Sequence, residues 1–244
     1  MPIRTDALVL KENNNIGEAD RFVTLLTREL GVVRASVRGA QRIRSRLGPA
    51  TRALTYSSLT LTEGRDKYIV TEAQPQRVFW DLHAMDKLAL SQYFCELCLT
   101  LAPREEPAPE ILRLMLNSLH FLGDGSREPR LIKALTEWRL LCGAGYAPDL
   151  SGCRRCGTAE GTLLLRPREG TLCCPACAQP PGAVPLSPAA RAILRHFAAA
   201  PLEKCYAVRP AETELAQLAQ AAEQLLLAQV GRGFRTLDFY KTIV

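Results

Sequence analysis

A chain of 244 residues with 47% hydrophobic and 23% charged side chains has ordinary globular composition and ample length for a buried core. No stretch approaches the roughly 18 consecutive apolar residues of a membrane span, and the first fifteen residues lack a signal core, so the start reads as cytoplasmic. The formal charge of +6 is unevenly spread: residues 1–80 carry thirteen Lys and Arg against eight Asp and Glu, and the remainder eighteen against seventeen. A positive field confined to the first third points to polyanionic partners.

Residues 1–78 read as short strands between turns. Residues 5–11, 21–27 and 31–38 are rich in β-branched side chains and partly alternate apolar with polar; residues 54–62 and 67–73 add two more strands. Five strands in so short a span predict a small antiparallel β-barrel. An OB-fold is the natural candidate, and an SH3-like barrel would give the same pattern. Residues 86–101, 109–122 and 130–143 then carry apolar side chains three and four apart, the pattern of amphipathic helices. After a cysteine-rich segment, Ser187-Pro188 opens a helix over 187–199, and a last helix over 211–230 stops at Gly231. The expected organisation is an α+β multidomain chain. Its parts are an OB-fold domain (1–78), a helical domain in two portions (79–148 and 182–244) and an inserted four-cysteine zinc finger (149–181).

Nine cysteines on a long chain with an odd count and no signal argue for reduced thiols rather than a disulfide scaffold. Cys153 and Cys156 form one CxxC knuckle, Cys174 and Cys177 another, with seventeen residues between. That spacing matches a four-thiolate zinc site, which closes the tetrahedral shell and leaves no coordination position for a reacting water. The expected cofactor is one structural Zn2+ ion. Cys173 ranks as a bystander beside Cys174. Cys95 and Cys98 repeat the CxxC spacing inside a helical pattern and read as core, as do Cys142 and Cys205.

Between Gly31 and Thr62 there is no acidic residue, while Arg34, Arg38, Arg42, Arg44, Arg46 and Arg52 all fall there. Guanidinium groups fit phosphate oxygens in pairs, so several together predict tight, sequence-tolerant, salt-sensitive binding of nucleic acid. Arg42, Arg44 and Arg46 alternate, so an extended loop would present them on one side. Stacking aromatics are sparse: Phe22, which reads as core, Tyr56 and Tyr68. Arg154, Arg155, Arg166 and Arg168 make a smaller basic cluster near the knuckles that reads as a solvated loop.

No phosphate-binding P-loop, GxSxG elbow, HExxH motif or kinase signature is present, and no catalytic residue is assigned. His83, His120 and His196 sit singly in helical patterns, and Glu18 and Asp20 suit turn or ion-pair roles better than metal binding. The expectation is a protein that is not an enzyme.

Residues 17–49 (GEADRFVTLLTRELGVVRASVRGAQRIRSRLGP) resemble the N-terminal signature of the RecO family, a glycine-glutamate-x-aspartate stretch leading into strands and a basic loop. Residues 146–150 (YAPDL), just before Cys153, resemble the same family's approach to its zinc finger. The resemblance covers nearly the whole chain. It implies a recombination and repair mediator that binds single- and double-stranded DNA and anneals complementary strands. It also implies action with RecR and help in loading RecA onto strands coated by single-strand-binding protein (SSB), in a cytoplasmic, nucleoid-associated setting without a membrane partner. On matching positions it assigns DNA contact to Arg34, Arg38, Arg42, Arg44 and Arg46, and zinc ligation to Cys153, Cys156, Cys174 and Cys177. Lysine is often mixed into that loop in the family, whereas this loop is arginine alone. Some members lack the cysteines, which marks the zinc as structural. The alternative is a helical interaction adaptor that recruits repair proteins to SSB with only weak DNA contact. A metal-dependent nuclease would need the open coordination position that four thiolates deny, and DNA is preferred over RNA on the resemblance alone.

Overall fold

A computed structural model describes residues 1–16, 19–64, 68–79, 82, 84–177 and 181–244, with the side chains of residues 14–16 left out. Glu18, Lys67 and His83 lie outside the described residues. The chain divides into two compact units. One comprises Met1–Gly123 with Ile243–Val244, the other Asp124–Thr242. No described helix is long and apolar enough to cross a membrane.

The first unit is built on a closed five-stranded barrel: β1 (Ile3–Ile16), β2 (Asp20–Thr27), β3 (Gly31–Val37), β4 (Thr55–Glu63) and β5 (Tyr68–Val78), in the order β1-β2-β3-β5-β4. Four neighbouring pairs are antiparallel. The fifth, β3 with β5, runs parallel at Ala35–Tyr68 and Ser36–Ile69, because β4 crosses over to lie between β5 and β1. This is the OB-type order rather than a plain meander. β1 is longer than its apolar pattern suggests. Its first half pairs with β4 and its second with β2, and irregularities after Val9 and Asn13 let it bend between them. Alternation sends Ala7, Val9, Val23, Leu25, Val33, Ala35, Leu59 and Leu61 inward as a dry core.

Two helices complete this unit, α1 (Met85–Leu101) and α2 (Pro109–Asp124), close to their expected spans. Cys95 and Cys98 are buried in α1; burial pushes the Cys95 thiol up to about 12 and also raises Cys98 well above its ordinary value, as befits core thiols. The α1–α2 connection is strapped to the β2–β3 hairpin. Val32 N–H donates to Pro103 O (2.8 Å) and Ala108 N–H to Arg28 O (2.9 Å). Gly31 sits at the contact with φ +58°, where a Cβ would lie 2.3 Å from Pro103 O. Only glycine fits.

The second unit opens with α3 (Pro129–Gly143) and holds a three-stranded sheet, order β7-β6-β8: β6 (Leu163–Arg166), β7 (Thr171–Cys173) and β8 (Val184–Leu186). Strands of three or four residues fall below what an alternation pattern can reveal, and the sheet was not foreseen. Leu163, Leu165, Leu172, Val184 and Leu186 are all buried in it. α4 (Pro188–Ala199) starts on Ser187, whose Oγ accepts from Ala190 N–H at 3.0 Å. α6 (Glu212–Val230) ends on Gly231 at φ +72°. The short α5 (Leu202–Tyr206) and α7 (Arg235–Lys241) were also missed, being too brief to show a period.

α3 and α6 are joined by a buried ion cluster. Lys133 Nζ lies 2.8 Å from both Glu137 Oε1 and Glu223 Oε2, and Lys241 of α7 also reaches Glu223. Burial raises the Glu223 carboxyl, but the Lys133 and Lys241 ammonium groups more than offset it and hold it below its usual range.

Replacing Gly31 with Ala forces a Cβ against the Pro103 carbonyl in a left-handed conformation. We expect a loss of about 2 kcal/mol or more, read as a lowered thermal midpoint of the first unit. An unchanged midpoint would show that the strap yields freely.

Candidate metal centre and nucleic-acid interface

The two CxxC knuckles converge as their spacing requires. The Sγ atoms of Cys153, Cys156, Cys174 and Cys177 all lie within 4.8 Å of one another, and those of Cys156 and Cys174 are 3.7 Å apart. Four sulfurs each about 2.3 Å from a central ion stand about 3.8 Å apart, so the cluster fits a tetrahedral thiolate site. Backbone turns aim the sulfurs: Gly157 N–H donates to Cys153 O (2.8 Å), and Cys177 N–H to Cys174 O (3.0 Å). Gly157, at φ +77°, permits the first turn. Gly152 matters too, because a Cβ there would lie 2.8 Å from Gly157 O.

The electrostatics of the cluster favour a cation. Backbone N–H groups of Cys156 and Cys174 point at the Cys153 sulfur and bring its thiol down to about 6. Hydrogen bonds with the sulfurs of Cys174 and Cys156 push the Cys177 thiol up to about 12. Four sulfurs this close cannot all be anionic without a positive ion among them. Cys173 is buried in β7 with its sulfur 3.7 Å from Leu164 O and is not one of the four clustered thiols, in keeping with a bystander role.

Two arginines frame the knuckles. Arg155 donates to Cys177 O at 2.8 Å, tying one knuckle to the other. Arg191 of α4, only 2% exposed, donates to Ala159 O and Gly161 O, each at 2.8 Å, and so clamps the segment between the knuckles. Arg166 pairs with Glu169. Two members of the second basic cluster therefore have local structural partners, while Arg154 and Arg168 are exposed.

The arginine loop lies between β3 and β4. Arg34, Arg38, Arg42, Arg44, Arg46 and Arg52 are all exposed, and none has an ion-pair partner among the described residues. The loop is not extended, so the alternation of Arg42, Arg44 and Arg46 does not set a common side. Residues 38–48 run through consecutive turns, with Arg42 N–H bonded to Gly39 O (3.2 Å) and Ser45 N–H to Arg42 O (2.9 Å). Hydrogen bonds within turns displace the extended form because the loop must start and finish on the same end of the barrel.

Both ends of the loop are pinned. Gly39 N–H donates to Asp20 Oδ1 (2.8 Å), and Gln41 Nε2 to Asp20 O (2.7 Å). Arg21, 6% exposed, donates through Nη1 to Gly48 O (3.0 Å) and Thr51 Oγ1 (3.4 Å), and lies 3.3 Å from Glu12 Oε2. Asp20 thus has the turn role its sequence context suggests. Arg21 is a supporting residue that charge counting could not separate from the exposed arginines.

Phe22 corrects its sequence assignment. Arg21, Val23 and Leu25 take the inward positions of β2, which leaves Phe22 partly buried on the outer face, across from Ser36 of β3. Arg34 stands on the same face opposite Thr24. Tyr68 packs against the barrel core instead. His120 sits in α2 as a satisfied helix residue: its Nδ1 lies 3.1 Å from Arg77 Nη2.

The family model described as "Recombination protein O N terminal" matches residues 1–79, and "Recombination protein O C terminal" matches residues 82–238. The chain belongs to the RecO family. A DNA repair protein RecO from Acetivibrio thermocellus is 29% identical over 244 residues, covering 99% of this chain and 97% of its own. RecO proteins of Roseiflexus sp. and Cutibacterium acnes are each 34% identical, covering 82% and 75% of this chain and 71% and 76% of theirs. The two family segments meet between β5 and α1, and the pinned loop and the cysteine cluster fall in different segments.

Two outcomes are expected from this RecO-type architecture. Stripping metal with a chelator, or changing Cys153→Ser, should lower the thermal midpoint and protease resistance of residues 124–242 while the barrel stays folded. Identical melting with and without metal would deny the cluster a structural role. Arg21→Met should cost about 2–4 kcal/mol by leaving Glu12 and the Gly48 carbonyl without their partner, and should speed hydrogen exchange of amides 39–48. Unaltered exchange would show that the loop is held by other contacts.

Proposed function

We propose that this RecO-family chain is a non-catalytic recombination and repair mediator. In this reading it binds single- and double-stranded DNA, promotes strand annealing and, with RecR, helps load RecA onto SSB-coated strands in the cytoplasm, at the nucleoid. Residues 1–78 serve as the DNA-binding domain, residues 79–148 and 182–244 as helical portions, and residues 149–181 as a zinc segment holding one structural Zn2+ ion. The relatives described above, all DNA repair proteins, support the general role.

One observation carries the reading of the site: six exposed arginines on β3 and the anchored loop after it, a stretch that contains no acidic residue. Two DNA strands repel each other through their phosphates, and a fixed cationic surface lowers that repulsion by displacing counterions. Arg34, Arg38, Arg42, Arg44, Arg46 and Arg52 supply the charge, and Phe22 on the adjoining outer face offers a ring to a base. Four thiolates leave no ligand position on zinc for a reacting water, consistent with a structural ion.

The test is a fluorescence strand-annealing assay on the full, metal-loaded chain without ATP, across a salt series. We expect acceleration that fades as salt rises. Converting Arg42, Arg44 and Arg46 together to Ala should weaken binding to all sequences and flatten the salt slope by up to about three units. No acceleration by folded protein would favour the adaptor alternative, in which the helical portions recruit repair proteins to SSB and DNA contact is weak.

A further inference from the structure

Ile43 stands out in the arginine loop as an apolar side chain that the fold leaves fully in water. Its relative exposure is 104%, whereas Ala40 is 4% exposed and Leu47 packs against the barrel core. The two flanking apolar residues are thus tucked in, and the segment between them arches outward. The bond from Ser45 N–H to Arg42 O (2.9 Å) closes a turn with Ile43 and Arg44 at its corners. Turn corners favour glycine, proline, asparagine, aspartate and serine, and a β-branched apolar residue gains nothing there by local chemistry.

The surroundings of Ile43 are cationic. Arg42 and Arg44 flank it, Arg38 and Arg46 lie within five residues, and all four are exposed. The arch is held at both feet, through Asp20 at Gly39 and Gln41 and through Arg21 at Gly48, so its tip cannot easily fold back onto the barrel. An apolar tip ringed by guanidinium groups matches a polyanion with an apolar interior. Stacked base pairs between two phosphate backbones have that construction, and aliphatic side chains inserted at a base step unstack it.

We propose that Ile43 is a wedge that enters a base step of duplex DNA while the neighbouring arginines hold the phosphates on either side. This rests on the reading of the arginine loop as the DNA contact and adds to it a function that charge alone does not supply. Opening a base step exposes pairing edges, which suits a surface where strands are exchanged. The wedge contributes a salt-independent part of the affinity, because apolar insertion releases no counterions.

The experiment uses the full, metal-loaded chain and a mixed-sequence duplex containing 2-aminopurine at central positions, whose emission rises when it is unstacked. Wild type, Ile43→Ser and Ile43→Phe are compared at saturating protein, with anisotropy titrations across a salt series. We expect the wild type and Ile43→Phe to raise the emission. Ile43→Ser should lose the rise and bind several-fold more weakly with an unchanged salt slope. Salt-sensitive binding without any rise in the wild type, or the same rise in Ile43→Ser, overturns the wedge and leaves the loop reading intact. Absence of wild-type binding to DNA overturns both.

Discussion

A guanidinium that is 6% exposed at the end of a barrel must find partners for its charge, and Arg21 finds three of them on two segments. Glu12 comes from β1, and Gly48 O and Thr51 Oγ1 come from the return leg of the arginine loop. Losing any of them would leave a buried charge under-compensated, so the arrangement fixes where the loop re-enters the barrel. Asp20, the preceding residue, fixes where it leaves. Two consecutive side chains on β2, one pointing in and one out, therefore hold both feet of the segment bearing the exposed cations. Like charges crowded on a short loop repel and would otherwise spread it over many conformations. Pinning the feet limits that spread and leaves a fixed positive surface.

The second unit solves a different problem by similar means. Strands of three and four residues cannot hold a sheet by backbone pairing alone. Here the sheet is bracketed by the cysteine knuckles, with Cys153 bridging to Leu172 and Arg154 N–H bonded to Leu172 O. Arg191 binds the carbonyls of the inter-knuckle segment to α4, and Lys133, paired with Glu137 on its own helix, ties α3 to α6 through Glu223. Each of these buried cations sits among acceptors rather than in the apolar core proper, so the low local dielectric strengthens the contacts instead of merely penalising the charge.

Much of this was legible from residue types and spacing. The cysteine cluster needed only the two-residue knuckles and the gap between them. The five barrel strands, three helices of the middle region and the caps at Ser187 and Gly231 followed from alternation, 3.6-residue periodicity and punctuation. The misses have physical causes. β6, β7, β8, α5 and α7 are too short to complete a pattern and exist through tertiary packing. Phe22 was assigned inward because an apolar side chain in a strand is usually core, yet Arg21 occupies the inward register to serve the loop. The extended arginine loop failed as an expectation because alternation in sequence defines a face only where the backbone is extended.

The same comparison separates two kinds of arginine that composition treats as one. Arg21, Arg155 and Arg191 donate to backbone carbonyls and are part of the framework. Arg34, Arg38, Arg42, Arg44, Arg46 and Arg52 are exposed and donate to no described neighbour. Arg21 is offset by the Glu12 carboxylate 3.3 Å away, so that pair adds little net charge to the field a distant polyanion feels. The exposed group contributes its full charge. Arg4, Lys11, Arg28 and Arg77 are exposed as well, so β3 and the loop after it hold the densest run of exposed cations in residues 1–80 rather than all of them. A strand bound there, as proposed, would meet both Phe22 and Arg34, which stand two residue pairs apart on the outer face of β2 and β3, so the placement of the charge, as well as its amount, bears on the strand's orientation.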